Sequence, residues 1–497
     1  MRRNPMHLVL LLWLLLLGGC GQPPHDSIRL AIAGDATNLD PRFATDATSV
    51  RVNRLIYARL VDFDASARAQ PALAGWEQFS PTHYRFRLGQ QGRRFHDGGW
   101  LTTRDVKATY DFILDPANAS PHRAALALIE RVEIIDSERV DFILRRPDPL
   151  FPGYLVIGIL PERLAKLPKD APFTPLGSGP MAYIDRPEPG RLRLRRLSDD
   201  RVVEILRVPD ATVRVLKLLR GEVDILQNDI PAELVTYLSR HPDIQVRRTV
   251  GTNFVYLGFN FEDPATGKLE VRQAIAYALD REAIIRYVLD EGARPAATIL
   301  VPDHWAGHPE LKPRACDPER ARELLTAAGY GPGRPLHLTY KTSSDALRIR
   351  LATIIQDQLA KVGIHVTLKT YDWGTFYGDI KAGRFQLYSL SWVGIKTPDI
   401  FRYAFHSSSV PPEGANRGRF QDIIVDTLIE AAEQVSDLEH QAILYRALQE
   451  RLVQTLPYVP LWYEDQVFAM RPGVDGYALT PDGNYDGLLT VTRSEPE

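Results

Sequence analysis

Cysteine is scarce in this chain, and neither sign of charge is in excess. Cys20 and Cys316 are its 2 cysteines, which excludes a disulfide framework, a cysteine-rich zinc site and a cysteine-ligated iron–sulfur cluster. The 60 Lys and Arg against 62 Asp and Glu give a formal net charge of −2, so a strongly basic surface for nucleic acid is not indicated. A hydrophobic share of 44% and 497 residues are typical of a folded protein with about two to four domains.

Long hydrophobic runs are also rare, and the one clear case lies near the beginning of the sequence. Leu8–Leu17 (LVLLLWLLLL) follows Arg2 and Arg3. Its length suits the apolar core of a signal peptide, ~7–15 residues, and is too short for a membrane-spanning helix of ~20 residues. No other apolar run in the sequence approaches ~18 residues. We therefore expect the body of the chain to be soluble.

The segment Leu17-Gly18-Gly19-Cys20 resembles a bacterial lipobox. This resemblance predicts a signal peptide over residues 1–19, lipidation of Cys20 and a polar tether over residues 20–26, with the protein anchored on the periplasmic side of a bacterial envelope. The alternative is an ordinary signal peptide in which the cysteine occurs by chance.

No arrangement of residues in the sequence predicts catalysis. Gly177–Gly179 lacks the spacing of a nucleophile elbow, and residues 329–333 lack the Lys-Ser/Thr of a phosphate loop. His304 and His308 have the spacing of a helical metal pair, but Gly307 and Pro309 oppose a helix there. We therefore expect no enzyme activity, no metal and no cofactor.

The periodicity of apolar residues predicts an α/β fold. Between Leu336 and Val393 a strand, helix, strand, helix, strand pattern is typical of βαβ crossovers onto a parallel sheet. Ligands of open α/β sheets bind beyond the carboxyl ends of the strands. The loop after the predicted strand Phe385–Val393 is therefore the first place to look for a ligand site. Hairpins flanking one helix predict a separate α+β unit over residues 62–164.

Five motifs together resemble the family 5 extracellular solute-binding proteins, which are the peptide- and nickel-type receptors of ABC importers. Each motif alone is modest, and several have turn or helix chemistry that suits packing. Their order across nearly the whole chain makes the resemblance specific. The motifs are Phe95–Gly98, Pro175–Pro180, Gly221–Ile225, Val271–Arg281 and Pro457–Trp462.

This resemblance implies a two-lobed periplasmic-binding-protein-like α/β fold of type II with an extra α+β subdomain. Such proteins close their lobes around the ligand by hinge motion, and we expect the hinge near residues 248 and 465. Lobe I would combine residues 27–61, 165–248 and 466–497, with the inserted subdomain over 62–164 and lobe II over 249–465.

In peptide receptors of the family, a Trp at the end of a lobe II strand lines the cleft, and a carboxylate three residues later pairs with the amino terminus of the peptide. Trp392 matches the first position, but Ile395 occupies the second. A buried ammonium without a counter-charge is costly. The resemblance therefore implies that the ligand lacks an ordinary free amine, or that the amine is held elsewhere, for example by Asp46.

Further ligand contacts follow from the resemblance. Arg417 is expected to hold a ligand carboxylate through paired hydrogen bonds, although it would equally serve to brace its own loop. The other expected ligand-contacting residues are Ser391, Val393, Asn416, Thr45 and Ala47.

The resemblance implies a monomeric substrate-binding component that delivers a peptide or peptide-like solute to ABC permease subunits, attached to the membrane by its lipid and without a nucleic-acid partner. A receptor of the same fold that serves sensing or cell-wall recycling without its own permease is the alternative. A periplasmic hydrolase is opposed by the missing catalytic residues.

Overall fold

A computed structural model describes residues 27–494. Its strands are β1 (Ile28–Ile32), β2 (Val61–Phe63), β3 (Ala69–Pro71), β4 (Ala74–Ser80), β5 (His83–Leu88), β6 (Ile129–Ile134), β7 (Arg139–Leu144), β8 (Met181–Glu188), β9 (Arg191–Arg196), β10 (Val202–Arg207), β11 (Ile225–Gln227), β12 (Gln245–Phe259), β13 (Ala293–Pro295), β14 (Leu336–Ser343), β15 (Ile364–Tyr371), β16 (Leu387–Trp392), β17 (Tyr458–Met470), β18 (Val474–Asp475) and β19 (Thr492–Arg493).

Helices alternate with these strands mainly in the second half of the chain. They are α1 (Ala47–Ile56), α2 (Thr103–Leu114), α3 (Arg123–Leu126), α4 (Glu162–Ala165), α5 (Ala211–Leu219), α6 (Ala232–Ser239), α7 (Leu269–Ala278), α8 (Arg281–Tyr287), α9 (Pro318–Ala327), α10 (Ala346–Ala360), α11 (Trp373–Lys381), α12 (Ile400–Phe405), α13 (Ile423–Gln434) and α14 (Leu438–Thr455). Within residues 27–494, no helix is long and apolar enough to cross a membrane.

Local sequence signals place several helix boundaries. The side chains of Thr102 and Asp105 form a capping box at the start of α2. Asp317 caps α9 with Pro318 at its first position. The apolar residues from Val271 to Ile285 belong to two helices, because Asp280 caps α8 shortly after α7 ends.

The main sheet has 11 strands in the order β15-β14-β16-β12-β17-β11-β1-β10-β9-β8, with β13 paired to β17. Strand β14 is parallel to both β15 and β16, as the βαβ pattern predicts. Strand β1 is parallel to β10 and β11. The α/β prediction is therefore confirmed, with parallel groups at two separate places in one mixed sheet.

Strands β12 and β17 connect the two halves of this sheet. They are antiparallel over their length, from the pair Gln245 and Met470 to the pair Gly258 and Tyr458, with shifts in register after Thr249 and after Val255. β11 joins one end of the pair and β16 joins the other. The chain therefore passes twice between the halves through one strand pair, which contains the positions near 248 and 465 where a hinge was predicted.

Separate apolar cores accompany these halves. Ile28, Leu55 and Leu194 belong to a core on the β1 side, whereas Leu257, Ile275 and many others fill cores on the β16 side. The sheet β4-β5-β7-β6 has a further core of its own. The residue boundaries predicted for the lobes and the insertion stay predictions.

Candidate functional site

A cavity of about 340 Å³ lies between the two halves of the main sheet, beside the connecting strands β12 and β17. One wall comes from α1, the segment after β11 and the start of α6, and the other wall comes from α10 and the end of β16. Both walls contribute charged side chains. The residues that matter for its chemistry are Ala47, Arg51, Asp229, Arg348, Ser391 and Val393, together with Glu464 of β17.

Three of the nine predicted ligand-binding residues line this cavity. Ser391 and Val393 reach it from the end of β16, where the carboxyl-end rule for α/β sheets directs attention. Ala47 reaches it from the opposite wall, at the start of α1. The structure thus brings together residues that are more than 340 positions apart in the chain, roughly as the resemblance implies.

Thr45 and Asp46 lie on the same loop as Ala47 but are exposed and do not line the cavity. The Asp46 carboxylate accepts the Ser49 backbone N–H at 2.8 Å, and its second oxygen accepts the Thr37 hydroxyl at 3.2 Å. Asp46 is the N-cap of α1. Its carboxylate is therefore engaged in holding the helix start.

Trp392 points to the other side of β16, into an aromatic cluster with Tyr256, Tyr377 and Tyr403. Arg417 lies inside this cluster and is 6% exposed. Its Nη1 donates to the Tyr256 hydroxyl at 3.1 Å, and its Nη2 donates to the Tyr377 hydroxyl at 3.2 Å. The guanidinium carbon is 4.8 Å from the centroid of the Trp392 ring, the geometry of a cation–π contact.

No carboxylate neutralises Arg417 in the part of the chain that the structure describes. Burial lowers the pKa of Arg417, but the surrounding tyrosines outweigh this effect and hold the pKa well above its usual value. Among the residues that the structure describes, the buried indole Nε1–H of Trp392 has no hydrogen-bond partner. Neither side chain lines the cavity described above.

Asn416 holds the loop that carries Arg417. Its Nδ2 donates to the carbonyls of His406 and Phe420 at 3.1 and 2.7 Å, and its Oδ1 accepts the Phe420 N–H at 2.9 Å. With 2% exposure, the amide is fully used within the loop. It therefore fixes the position of its neighbour Arg417.

Ile395 packs against the apolar core beside Trp392, after a turn in which Gly394 has a φ of 69°. Lys396, the next residue, forms an ion pair of 2.6 Å with Asp482 of the opposite half. Asp399 is the N-cap of the short helix α12, and burial raises its pKa to about 6. It does not line the cavity.

Cys20 lies outside the described residues.

Most charges around the cavity are paired within the chain. Arg348 Nη1 lies 2.9 Å from Glu464 Oε1, which raises the pKa of Arg348. Asp465 accepts the Gly251 N–H at 3.3 Å and lies 3.5 Å from Arg294 Nε. These pairs leave little free charge on the side of the cavity formed by β12 and β17.

Asp229 and Arg51 were missed by reasoning from the sequence, although a signal for Asp229 exists. Residue 229 follows the carboxyl end of β11 almost directly, so the rule that led to the loop after β16 applies to it as well. No comparable signal marks Arg51, which lies within an amphipathic helix whose position over the cavity depends on tertiary packing.

Comparison with known proteins finds similarity along most of the chain. The family model of the bacterial extracellular solute-binding proteins, family 5 middle region, matches residues 68–411. The heme-binding protein A of Haemophilus influenzae is 28% identical over 91% of this chain and 89% of its own length. A dipeptide-binding protein of Pseudomonas aeruginosa is 28% identical over 94% of this chain and 95% of its own length.

Solved structures agree with this fold. The periplasmic binding protein DppA of Helicobacter pylori, in complex with the peptide STSA, is 25% identical and superimposes with a TM-score of 0.82 over 94% of this chain and 98% of its own. NikZ of Campylobacter jejuni, in complex with Ni(L-His), is 23% identical with a TM-score of 0.83 over 95% of this chain and 100% of its own. The two-lobed α/β fold predicted from the sequence is thereby confirmed.

Proposed function

Because this chain belongs to the family 5 bacterial extracellular solute-binding proteins, we propose that it captures a peptide or peptide-like solute between its two lobes for an ABC importer. The observation that carries this proposal is the cavity beside β12 and β17. It is lined from both lobes, so a solute bound there makes its full set of contacts only when the lobes are closed.

The nature of the relatives supports a peptide-like ligand. The similar proteins include dipeptide-binding proteins and a glutathione-binding protein of Escherichia coli. A cavity of about 340 Å³ lies near the lower end of the range for small-molecule sites. The cavity therefore suits a short solute, and a long peptide would need the lobes to stand further apart.

The aromatic cluster around Arg417 has a supporting role in this proposal. Its guanidinium bonds Tyr256 of β12 and Tyr377 of α11 and lies against Trp392 of β16. We infer that Arg417 braces these three elements of lobe II, the second of the two roles considered for it. The end of β16, where Ser391 and Val393 meet the cavity, is then held in place by this brace.

The cellular setting is also proposed. The lipobox-like Cys20 would anchor the protein on the periplasmic side of the membrane, and the partners would be permease subunits that accept the closed receptor. We expect a monomer, because the lobes of a single chain supply both walls of the cavity.

Native mass spectrometry of freshly purified protein tests the capture of a solute. We expect a co-purifying solute of peptide-like mass that is lost on mild denaturation and that raises the thermal unfolding midpoint when added back. The variant Ser391→Trp fills the cavity and should abolish both effects. The matched control is Ser66→Trp, in an exposed turn that does not line the cavity.

Two results would contradict the proposal. One is the absence of any co-purifying solute together with no stabilisation by di- to pentapeptides. The other is undiminished solute binding by Ser391→Trp, which would place the ligand outside this cavity.

A further inference from the structure

The cavity between the lobes contains one carboxylate that the protein leaves without a partner. Asp229 lines the cavity and is exposed to its interior. Among residues 27–494 its carboxylate has neither a hydrogen bond nor an ion pair. The other acidic residues on the lining, Glu464 and Asp465, are occupied by Arg348 and Arg294. Asp229 is therefore the acid that is free to receive a positively charged ligand.

The backbone holds Asp229 in an unusual conformation. Asn228 and Asp229 both have left-handed φ values, 58° and 52°, which are uncommon outside glycine. Two anchors maintain them. The backbone and side chain of Asn228 bond Val467 and Gln466 of β17 at 2.7–3.0 Å, and Arg214 donates to the Asp229 carbonyl. Strained positions that are fixed by several bonds are frequently functional.

The environment of Asp229 favours an added positive charge. Burial within the cleft raises the pKa of Asp229, and the charges of Arg214, Arg348 and Arg51 only partly offset this effect. Of these arginines, Arg348 is paired with Glu464, and Arg214 is directed at backbone carbonyls. A ligand ammonium would therefore meet a carboxylate that is poorly compensated by the protein.

Arg51 is the complementary group on the same wall. It lines the cavity from α1, donates to the Asp482 carbonyl at 3.3 Å and lies over the Tyr485 ring. In the described chain it has no acidic partner within ion-pair distance. The lining thus holds three arginines and three acids. Within residues 27–494, one arginine and one acid of this set lack an ionic partner. These two charges complement those of a zwitterion.

We propose that Asp229 binds the ammonium group and Arg51 the carboxylate of a zwitterionic solute. This inference rests on the proposed function and deepens it. The pair would supply from lobe I the amine contact that Ile395 does not provide in lobe II. The proposal depends on two groups that face one cavity and have no ionic partner in the described chain. They are the carboxylate of Asp229 and the guanidinium of Arg51.

The test uses tripeptides Ala-X-Ala, with X varied, in free, N-acetylated and C-amidated forms, and measures binding by calorimetry and native mass spectrometry. The purified wild-type protein should prefer the free form over both blocked forms by about 10- to 100-fold, the effect of one hydrogen-bonded charge. Asp229→Asn should lose only the discrimination against N-acetylation. Arg51→Gln should lose only the discrimination against C-amidation.

The exposed Asp303→Asn variant is the control and should behave as the wild type, and thermal unfolding confirms that each variant is folded. The inference is overturned if both variants keep the wild-type preferences, if each loses affinity equally for all three forms, or if Asp46→Asn removes the amine preference instead. In these cases binding by the wild type still supports the proposed function. If the wild type binds none of the peptides, the proposal of a peptide ligand is contradicted, and the inference is contradicted with it.

Discussion

Arg417 and Asp229 are both charged residues without an ionic partner in the described chain, but they lie in opposite surroundings. Arg417 is 6% exposed and is surrounded by aromatic rings and tyrosine hydroxyls of lobe II. Asp229 is exposed within the cavity on the wall of lobe I. The first charge is satisfied by neutral groups of the protein. The second is satisfied only by solvent or by a ligand.

This difference separates a structural ion from a binding ion. A buried guanidinium cannot lose its proton to escape the cost of burial. Its neighbours must therefore provide hydrogen-bond acceptors and aromatic ring faces, and their own arrangement comes to depend on the guanidinium. Holding the charge of Asp229 in the cleft also has a cost, since burial raises its pKa, but no hydrogen bond or ion pair in the described part of the protein depends on its carboxylate. Asp148 gives a third case, since it is 2% exposed and without an ion pair among the described residues, but it can become neutral by binding a proton.

Replacing Arg417 should produce the largest effect. Arg417→Ala leaves a cavity and removes the donor from the hydroxyls of buried Tyr256 and half-buried Tyr377, so we expect the free energy of unfolding to fall by about 4 kcal/mol. Urea denaturation measures it. The control Arg220→Ala, at a side chain that is 69% exposed, should change it little. A loss below ~1 kcal/mol would show that the cluster does not depend on the cation.

Asp148 should show how a buried acid responds to pH. Burial, followed by the charge of Glu433, raises its pKa from 3.8 to about 7, so the folded state holds the proton more tightly than the unfolded chain. Stability from this group is present below pH 3.8 and is lost as the pH rises through about 7. Asp148→Asn should therefore stabilise the protein at pH 8 by on the order of 2 kcal/mol.

The measurement is urea denaturation at pH 5 and pH 8. The stabilisation by Asp148→Asn should shrink at pH 5, whereas the exposed Asp170→Asn should have little effect at either pH. A destabilisation at pH 8 would mean that Asp148 is held as an anion and would remove the distinction between acid and guanidinium.

The ion pair between Lys396 and Asp482 spans the lobes, and its contribution to stability can be tested by mutation. Burial raises the pKa of Asp482, but the Lys396 ammonium and local hydrogen bonds lower it below 3.8 overall. The stability contributed by the Asp482 carboxylate is therefore present above pH 3.8, and it is lost as the pH falls through the lower pKa that this group has in the folded state. Lys396→Met should cost about 1 kcal/mol at pH 7.

Small-angle X-ray scattering should also detect a more open average shape for Lys396→Met, because a contact across the cleft is lost. Lys361→Met, which removes an exposed pair with Asp357 within one helix, is the control. Equal behaviour of the two variants would mean that the Lys396 pair does not favour closure.

Asp229→Asn should give the smallest change in stability, within ~0.5 kcal/mol, because the carboxylate is unpaired and asparagine tolerates a left-handed backbone. Asp229→Val places a β-branched residue at this left-handed position and should cost about 1–2 kcal/mol through backbone strain. Thermal unfolding of ligand-free protein distinguishes them. A large loss for Asp229→Asn would make this residue structural and would end its contrast with Arg417.

Local patterns predicted much of the fold and directed attention to a strand end that lines the candidate cavity. Apolar alternation and helix caps gave the parallel strands β14 to β16, and the end of β16 does line the cavity through Ser391 and Val393. The same patterns could not separate the two faces of that strand end. Trp392 points to the aromatic cluster because neighbouring side chains of a strand lie on opposite faces.

The predicted charged contacts depended on partners that are distant in the sequence. Asp46 is occupied by the cap of α1, a local interaction that its position before the helix already indicated. The surroundings of Arg417 come from β12, α11 and β16, and no spacing in the sequence brings these elements together. The residue type shows the charge of a side chain, but it does not show which residue will be its ionic partner.

The sequence by itself determined the family, the alternating α/β elements and the absence of a carboxylate at Ile395, because these depend on residue type and order. The tertiary structure decided which charges remain free. Whether Asp229 or Asp465 is available, and whether Arg417 or Arg51 reaches the cavity, depends on distances of a few ångströms between chain segments that are far apart in sequence. Electrostatic attraction and desolvation vary steeply over such distances, so the binding properties of this cleft are set by folding.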